Sequence, residues 1–314
     1  MSSTRLTFLL GCTGCGKAAI GFEVAGRLGA EIISVDSMKI YRGMDIGTAK
    51  PSRAAQAEVR HHLIDVVDPW EDYSVAQLVE AAEAAAEDIT ARGKPVLAVG
   101  GTALYIKAFS EGLFAGPSAD PVVRARLNER AAAEGTATLH RELSAVDPVA
   151  AERIHPNDLR RIVRALEVYE LSGRPISSLQ TQWDAVERAA ARFDFRFIGL
   201  RRSLDDQNRR TNARVKRMID QGLVDEVRRL SALPRALSRA ARQAVGYAEI
   251  LEHFAGRRTL DEAIERIKIN TRQLAKSQRT WFKRFRNVHW IDIGPHDPFE
   301  PIVERVIVAM TQPP

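Results

Sequence analysis

A chain of 314 residues, 45% hydrophobic and 27% charged, can bury a substantial core as one main domain with an addition. It holds no run of about 18 apolar residues and no charged-then-apolar leader, so no membrane partner is expected and a soluble cytoplasmic protein is. The net charge of +6 and pI near 9.5 favour a polyanionic partner.

In chain order the first element is the apolar run Leu6–Leu10, a buried strand. It leads into Gly11-Cys12-Thr13-Gly14-Cys15-Gly16-Lys17 and then into a helix over Lys17–Leu28 closed by Gly29. A glycine-rich turn between a strand and a helix is a phosphate cradle. Its backbone curls so that several N–H groups meet one anion, the helix start adds unpaired donors, and Lys17 adds a full charge. The pattern is GxxxxGK, and Ala18 follows where Ser or Thr is usual, so the hydroxyl that normally holds Mg²⁺ is missing. Cys12 and Cys15 are the only cysteines. No second pair completes four-sulfur coordination and a disulfide would distort the cradle, so they read as small loop residues, with redox sensitivity the alternative.

Glu31–Val35 and Pro95–Val99 follow as buried parallel strands, with His62–Val67 a weaker candidate. Between them Val75–Ala91 is a helix opened by a Ser74/Gln77 capping box and ended near Gly93. This alternation predicts an α/β fold, a parallel sheet flanked by helices. From about Asp120 the pattern is helical until Phe193–Leu200, a strand that returns to the sheet, so the helical unit is inserted. The expected division is a first part of the core over 1–117, a helical insertion over 118–155 that extends at most to about 190, and a second part of the core over 156–314. Gly116-Pro117 and His155-Pro156-Asn157 supply the punctuation. After Leu204 the chain is expected to be mostly helical, with a second capping box at Thr259/Glu262.

Lys268, Arg272, Lys276, Arg279, Lys283 and Arg286 recur at steps of three or four, which on a helix makes one basic stripe, while Ile267, Leu274, Trp281 and Phe285 fall on a packing face. Solvated faces usually mix signs, yet no Asp or Glu lies between Glu265 and Asp292, so contact with a phosphate backbone is favoured. Arg160, Arg161 and Arg164 follow the turn at Pro156-Asn157-Asp158. Arg160 and Arg164, one helical turn apart, either hold a phosphate together or pair with Glu167 or Glu170 as surface charge.

In an open parallel sheet the carboxyl ends of the strands border the ligand crevice. Asp36, after Glu31–Val35, and Thr102, in Gly100-Gly101-Thr102 after Pro95–Val99, are therefore expected beside the phosphate loop. Each also has a plain reading, Asp36 as a cap and the glycines as a tight turn.

The succession of the phosphate loop, Asp36-Ser37-Met38-Lys39-Ile40-Tyr41-Arg42-Gly43-Met44-Asp45-Ile46-Gly47-Thr48-Ala49-Lys50-Pro51 and His61-His62-Leu63-Ile64-Asp65 resembles the tRNA dimethylallyltransferase (tRNA isopentenyltransferase, IPP transferase) family. The resemblance continues in order through Gly100-Gly101-Thr102-Ala103-Leu104-Tyr105, Pro156-Asn157-Asp158, Arg164-Ala165-Leu166-Glu167, Gly222-Leu223-Val224, Val245-Gly246-Tyr247 and Thr271-Arg272-Gln273-Leu274-Ala275-Lys276, so it spans nearly the whole chain.

The resemblance implies a P-loop kinase-like core with a helical insertion. The implied reaction moves a dimethylallyl group from dimethylallyl diphosphate to N6 of the adenosine immediately 3′ of a tRNA anticodon. The loop Gly11 to Ala18 would hold the diphosphate, with Mg²⁺ as cofactor and no assigned protein ligands for it. Asp36 would act as general base, and Thr102 would donate to the bridging oxygen. Implied tRNA contacts are Asp36, Ser37, Met38, Lys39 and Thr102 at the target base, and Arg124, Arg160, Arg161, Arg164, Arg272, Lys276 and Arg279 along the anticodon stem-loop. A monomer is expected. The chain departs from the family at Ala18, usually Ser or Thr, at Lys39, usually Gln, at Ala103, usually Gly, and at Ser277 within Ala275-Lys276-Ser277-Gln278. Lys39 is positioned to pair with Asp36. The alternatives are a P-loop small-molecule or nucleotide kinase, and a catalytically weakened tRNA-binding relative.

Overall fold

The computed structural model describes residues 4–112, 116–180 and 193–312. In order, the elements before residue 112 are β1 (Thr4–Gly11), α1 (Lys17–Leu28), β2 (Glu31–Val35), α2 (Arg53–Glu58), β3 (His61–His62), α3 (Val75–Ala91), β4 (Val96–Gly100) and α4 (Ala103–Glu111). A helical run follows: α5 (Pro121–Glu134), α6 (Thr136–Val146), α7 (Pro148–Arg153), α8 (Leu159–Ser172) and α9 (Ile176–Leu179). The chain then makes β5 (Phe193–Arg202), α10 (Leu204–Asp220), α11 (Leu223–Ser231), α12 (Arg239–Arg242), α13 (Tyr247–Phe254), α14 (Leu260–Phe282), β6 (Val288–Ile293) and α15 (Phe299–Thr311).

The strands form one parallel sheet in the order β3-β2-β4-β1-β5-β6. Side chains on β1 alternate between two buried faces, as the period of a strand requires. Leu6, Phe8 and Leu10 enter a core with Leu78, Ala82 and Phe109, while Leu9 enters another with Ile20, Val24 and Val303. The register sets Leu10 against Gly100 and Val35 against Gly100, so the carboxyl ends of β1, β4 and β2 lie level. That alignment fixes where their loops meet.

Both capping boxes form, at Ser74/Gln77 and Thr259/Glu262. The strand expected over His62–Val67 does not: it stops at His62, because Leu63 (φ 61°) and Asp65 (φ 55°) are left-handed and cannot continue a ladder. Lys50, its side chain buried, ties that loop down through Asp65 Oδ1 at 2.6 Å and Tyr41 O at 2.8 Å. At the other end of the same strand pair, the buried Glu31 accepts from Arg92 and Lys94 and bonds His62 Nε2 at 2.7 Å. Burial pushes the Glu31 carboxyl up, but the bonds to His62, Arg92 and Lys94 outweigh it and hold it down at about 2. The mostly helical region after Leu204 also contains a strand not expected from sequence, β6, paired with β5 from Phe197↔Val288 to Arg202↔Ile293.

The chain divides into two units, one of Met1–Ser110 with Ala190–Pro314 and one of Glu111–Ala189. In the second, α5, α6 and α8 pack around Leu127, Leu139, Leu143, Ile162 and Leu166. The turn at His155-Pro156-Asn157, expected as a limit of the insertion, thus lies inside this unit, since α8 completes its core. The expected outer limit near 190 falls outside the described residues.

Candidate active site

Gly14 (φ 84°) and Gly16 (φ 99°) adopt the left-handed backbone that lets the loop after β1 close around an anion. The loop is held from behind by side chains that sequence reasoning did not single out. Arg202 Nε donates to Cys15 O at 2.9 Å, Arg210 Nε to Gly14 O at 3.0 Å, and Gln207 Nε2 to Thr13 O at 2.9 Å. Gln278 of α14 reaches in from the opposite end of the sequence. Its Oε1 accepts from Thr13 N at 2.7 Å and its Nε2 donates to Gly101 O at 2.9 Å, joining the phosphate loop to the loop after β4. Gly101 has no side chain because a Cβ there would lie 2.7 Å from Gln278 Nε2 and 3.3 Å from Lys17 Nζ. Cys12 and Cys15 are free and buried, and burial, with Cys15 beside it, pushes the Cys12 thiol up, so Cys12 serves as packing rather than as a thiolate.

Asp36 and Thr102 meet at the level ends of β2 and β4. The Thr102 hydroxyl accepts from Ser37 N at 3.2 Å, leaving its own proton to donate. Asp36 Oδ1 accepts from Met38 N at 2.9 Å and from Lys39 N at 3.4 Å, so the carboxylate is oriented by its own turn. The plain reading of Asp36 as a turn cap is therefore satisfied through one oxygen, and no hydrogen bond to Oδ2 forms among the described residues. No Asp36–Lys39 ion pair forms either. Lys39 instead lines a cavity of about 350 Å³ that it shares with Ala18, Ser34 and His61. Arg214 of α10, half-buried, lies within electrostatic reach of Asp36, and burial pushes its guanidinium down.

The basic helix is less uniform than its spacing implies. Leu274, expected to pack, is 43% exposed, and the buried positions of α14 are Ala263, Ile267, Ala275 and Phe282. Arg272 donates to Asn212 Oδ1 at 2.7 Å and Arg279 bonds Gln207 Oε1, so two members of the stripe brace α10, whereas Lys276, Lys283 and Arg286 are exposed. In the helical unit the fully buried Glu167 accepts from Asp120 N, from Arg124 Nε at 2.9 Å and from Arg164 Nη1 at 2.6 Å. Burial pushes the Glu167 carboxyl up, and the two arginines hold it below the usual carboxylate range. Arg164 thus takes the pairing role expected as its alternative to phosphate contact. Arg160 is exposed and Arg161 lies 3.3 Å from Asp158.

The chain's own donors do not fit a divalent metal. Ala18 brings no hydroxyl, the Lys39 ammonium faces the same cavity, and among the described residues no three His, Cys, Asp or Glu side chains come together. The arrangement is suited to holding a polyphosphate against a carboxylate and a hydroxyl. No helix among the described residues is long and apolar enough to cross a membrane.

The sequence profile described as IPP transferase matches residues 39–285. A tRNA dimethylallyltransferase of Geobacter metallireducens is 47% identical over 92% of this chain and 93% of its own, and one of Carboxydothermus hydrogenoformans is 43% identical over 97% of each. Among solved structures, the tRNA isopentenylpyrophosphate transferase of Bacillus halodurans is similar with a TM-score of 0.70 and 37% identity, over 98% of this chain and 96% of its own. A eukaryotic dimethylallyltransferase solved acting on tRNA is similar with a TM-score of 0.80 and 25% identity, over 98% of this chain and 78% of its own. With the phosphate loop, Asp36 and Thr102 gathered at one edge of the parallel sheet, this chain belongs to the IPP transferase family.

Proposed function

We propose that the chain transfers the dimethylallyl group of dimethylallyl diphosphate to N6 of the adenosine immediately 3′ of the anticodon in tRNA, acting as a monomer in the cytoplasm. The observation that carries this reading is the meeting of an anion cradle, a carboxylate and a hydroxyl at the level ends of β1, β2 and β4. The exocyclic amine is a weak nucleophile because its lone pair is delocalised into the ring. Asp36 accepts an N6–H hydrogen bond and then the proton as the N6–C1 bond forms and the C1–O bond to diphosphate breaks. The loop N–H groups, Lys17 and the Thr102 hydroxyl stabilise the charge that develops on the leaving diphosphate. Mg²⁺, carried in on the diphosphate rather than in a protein cage, would neutralise part of that charge. The test is incubation with labelled dimethylallyl diphosphate and an unmodified tRNA, with and without ATP, followed by digestion and mass measurement of the nucleosides. Adenosine heavier by one dimethylallyl group supports the reading, and a phosphorylated product that needs ATP favours a kinase.

The target base must be splayed out of the anticodon loop to reach Asp36, Ser37, Met38, Lys39 and Thr102, while the α14 stripe holds the backbone. Replacing Arg272, Lys276 and Arg279 by Ala is expected to weaken tRNA binding and to flatten its salt dependence by up to about one slope unit for each phosphate no longer neutralised. Lys276→Ala alone is expected to lower the slope without lowering the melting temperature, because that side chain is exposed. An unchanged slope in binding measured from low to moderate salt would leave the stripe as a solvated face.

Position 18 sets the metal requirement. Mg²⁺ retains waters readily, so loss of one hydroxyl ligand weakens its binding rather than abolishing it. Ala18→Thr is expected to lower the Mg²⁺ concentration that gives half-maximal rate, measured at saturating tRNA and dimethylallyl diphosphate. Coincident titration curves for the two proteins would sink the argument from the missing hydroxyl.

A further inference from the structure

Along α14, Lys276 and Ser277 are exposed and Gln278 is turned inward. Its carboxamide is used at both ends: Oε1 accepts from Thr13 N at 2.7 Å and Nε2 donates to Gly101 O at 2.9 Å, so one uncharged group serves the loops after β1 and β4. Thr13 is fixed on its other side as well, since its carbonyl accepts from Gln207 Nε2 at 2.9 Å and Gln207 Oε1 accepts from Arg279. Adjacent residues of α14 thus hold both peptide groups that flank Thr13, Gln278 directly and Arg279 through α10. At the other end of the tie, Gly101 lies tight against the cradle. A Cβ there would meet Gln278 Nε2 at 2.7 Å, Lys17 Nζ at 3.3 Å and Gly11 O at 3.4 Å. The next residue is Thr102, whose hydroxyl accepts from Ser37 N at 3.2 Å. Thr102 is therefore placed from two directions, toward Asp36 by the Ser37 N–H and toward the phosphate loop by the Gln278 bond to the residue before it.

We propose that Gln278 is a positioning residue for the transfer, setting the Thr102 hydroxyl at the distance from the phosphate loop at which it meets the bridging oxygen of the diphosphate. The proposal rests on the reading of Thr102 as the donor to the leaving group. A hydroxyl stabilises a developing charge only where it is already aimed at it, and a misplacement of about 1 Å costs on the order of a hundredfold in rate. Glycine at position 101 lets the backbone approach the cradle this closely, but it also leaves that backbone easy to turn. The bond from Gln278 removes the freedom, and because Thr13 is itself held from two sides, the tie runs to a fixed point.

The test is a double-mutant cycle on transfer, with Gln278→Leu and Thr102→Val alone and together, read as kcat and as KM for dimethylallyl diphosphate at saturating tRNA. Gln278→Leu is expected to lower kcat by about tenfold to a hundredfold with KM little changed, and by no more than about twofold once Thr102 is already replaced. Gln278→Glu keeps an acceptor for Thr13 N and at neutral pH cannot donate to Gly101 O. It is expected to lose kcat by a similar factor, and it carries the test if the leucine variant does not fold. Effects of the two substitutions that simply multiply, a wild-type kcat in either Gln278 variant, or a loss confined to KM would each overturn the proposal and leave Gln278 as a brace of the phosphate loop alone. Amide hydrogen exchange over Gly101–Leu104 reports on the tie without the reaction. It is expected to quicken in Gln278→Leu, and unchanged exchange would overturn the proposal too. A wild type that gives no dimethylallyl product while that exchange quickens would remove the transferase reading and keep Gln278 as the tie that places Thr102.

Discussion

Asp36→Asn is expected to retain tRNA binding and to lose prenyl transfer by about a hundredfold or more, as for removal of a general base. The substitution is nearly isosteric, and its carbonyl oxygen can still accept from Met38 N, the bond of 2.9 Å that shapes the turn. What the proposed mechanism would lose is the ability of the other atom to take a proton from N6. The Thr102–Ser37 bond does not involve the Asp36 side chain, so the hydroxyl stays in place. Single-turnover transfer at saturating tRNA is the measurement, since it separates chemistry from product release. A wild-type rate across neutral pH would show that Asp36 is only a cap.

A second large effect is expected away from the chemistry, at Glu226. This buried carboxylate accepts from Asp45 N at 2.9 Å, Ile46 N at 2.8 Å, Gly47 N at 3.1 Å and the Tyr247 hydroxyl at 2.6 Å. Burial, and then the Glu226 charge, push the Tyr247 hydroxyl up, so it stays protonated and donates. Gly47 lacks a side chain because a Cβ would run into the Tyr247 ring. Glu226→Ala leaves three backbone donors without their acceptor at roughly 1–3 kcal/mol each where water cannot reach them, so a loss of about 3 kcal/mol or more is expected. That corresponds to a fall in Tm of roughly 6–12 °C. Tyr247→Phe removes only one of the four bonds and should cost less, about 1.5–3 kcal/mol for a bond to a charged group. Thermal unfolding of the three proteins is the check, and an unchanged Tm for Glu226→Ala would mean that the loop at Asp45–Lys50 is not held from α11.

Features whose cause is local could be read along the chain. The phosphate loop, the β1, β2 and β4 strands and both capping boxes depend on residues within a few positions of one another. The placing of Asp36 and Thr102 needed only the rule that loops at the carboxyl ends of parallel strands share an edge. Features set by distant partners were not legible. Arg202 at the end of β5 and Gln207 and Arg210 of α10 carry no local pattern that points to the loop after β1, and Gln278 is one more polar residue of a basic helix until α14 packs against β1. Leu274 has the spacing of a packing residue, but the buried side of α14 is shifted toward Ala275 and Phe282 by contact with α10 and β1. Leu63 and Asp65 adopt left-handed backbone, and the Asp65 carboxylate is held by the distant Lys50, which no strand propensity encodes.

The central place of β1 has a consequence for synthesis. Its one side pairs with β4, which ends at Gly100, and its other side pairs with β5, which begins at Phe193. While the ribosome adds the intervening helices, Thr4–Gly11 presents an open edge of apolar strand, the kind of surface that recruits foreign strands and aggregates. The loop it carries stays unbraced longer still, since Gln278 emerges only after β5 and the helices α10 to α13. A nascent chain therefore holds its glycine-rich loop early and the brace from α14 much later. Stalling translation before β5 should yield a species that needs chaperones, whereas stalling after β6 should yield one that does not.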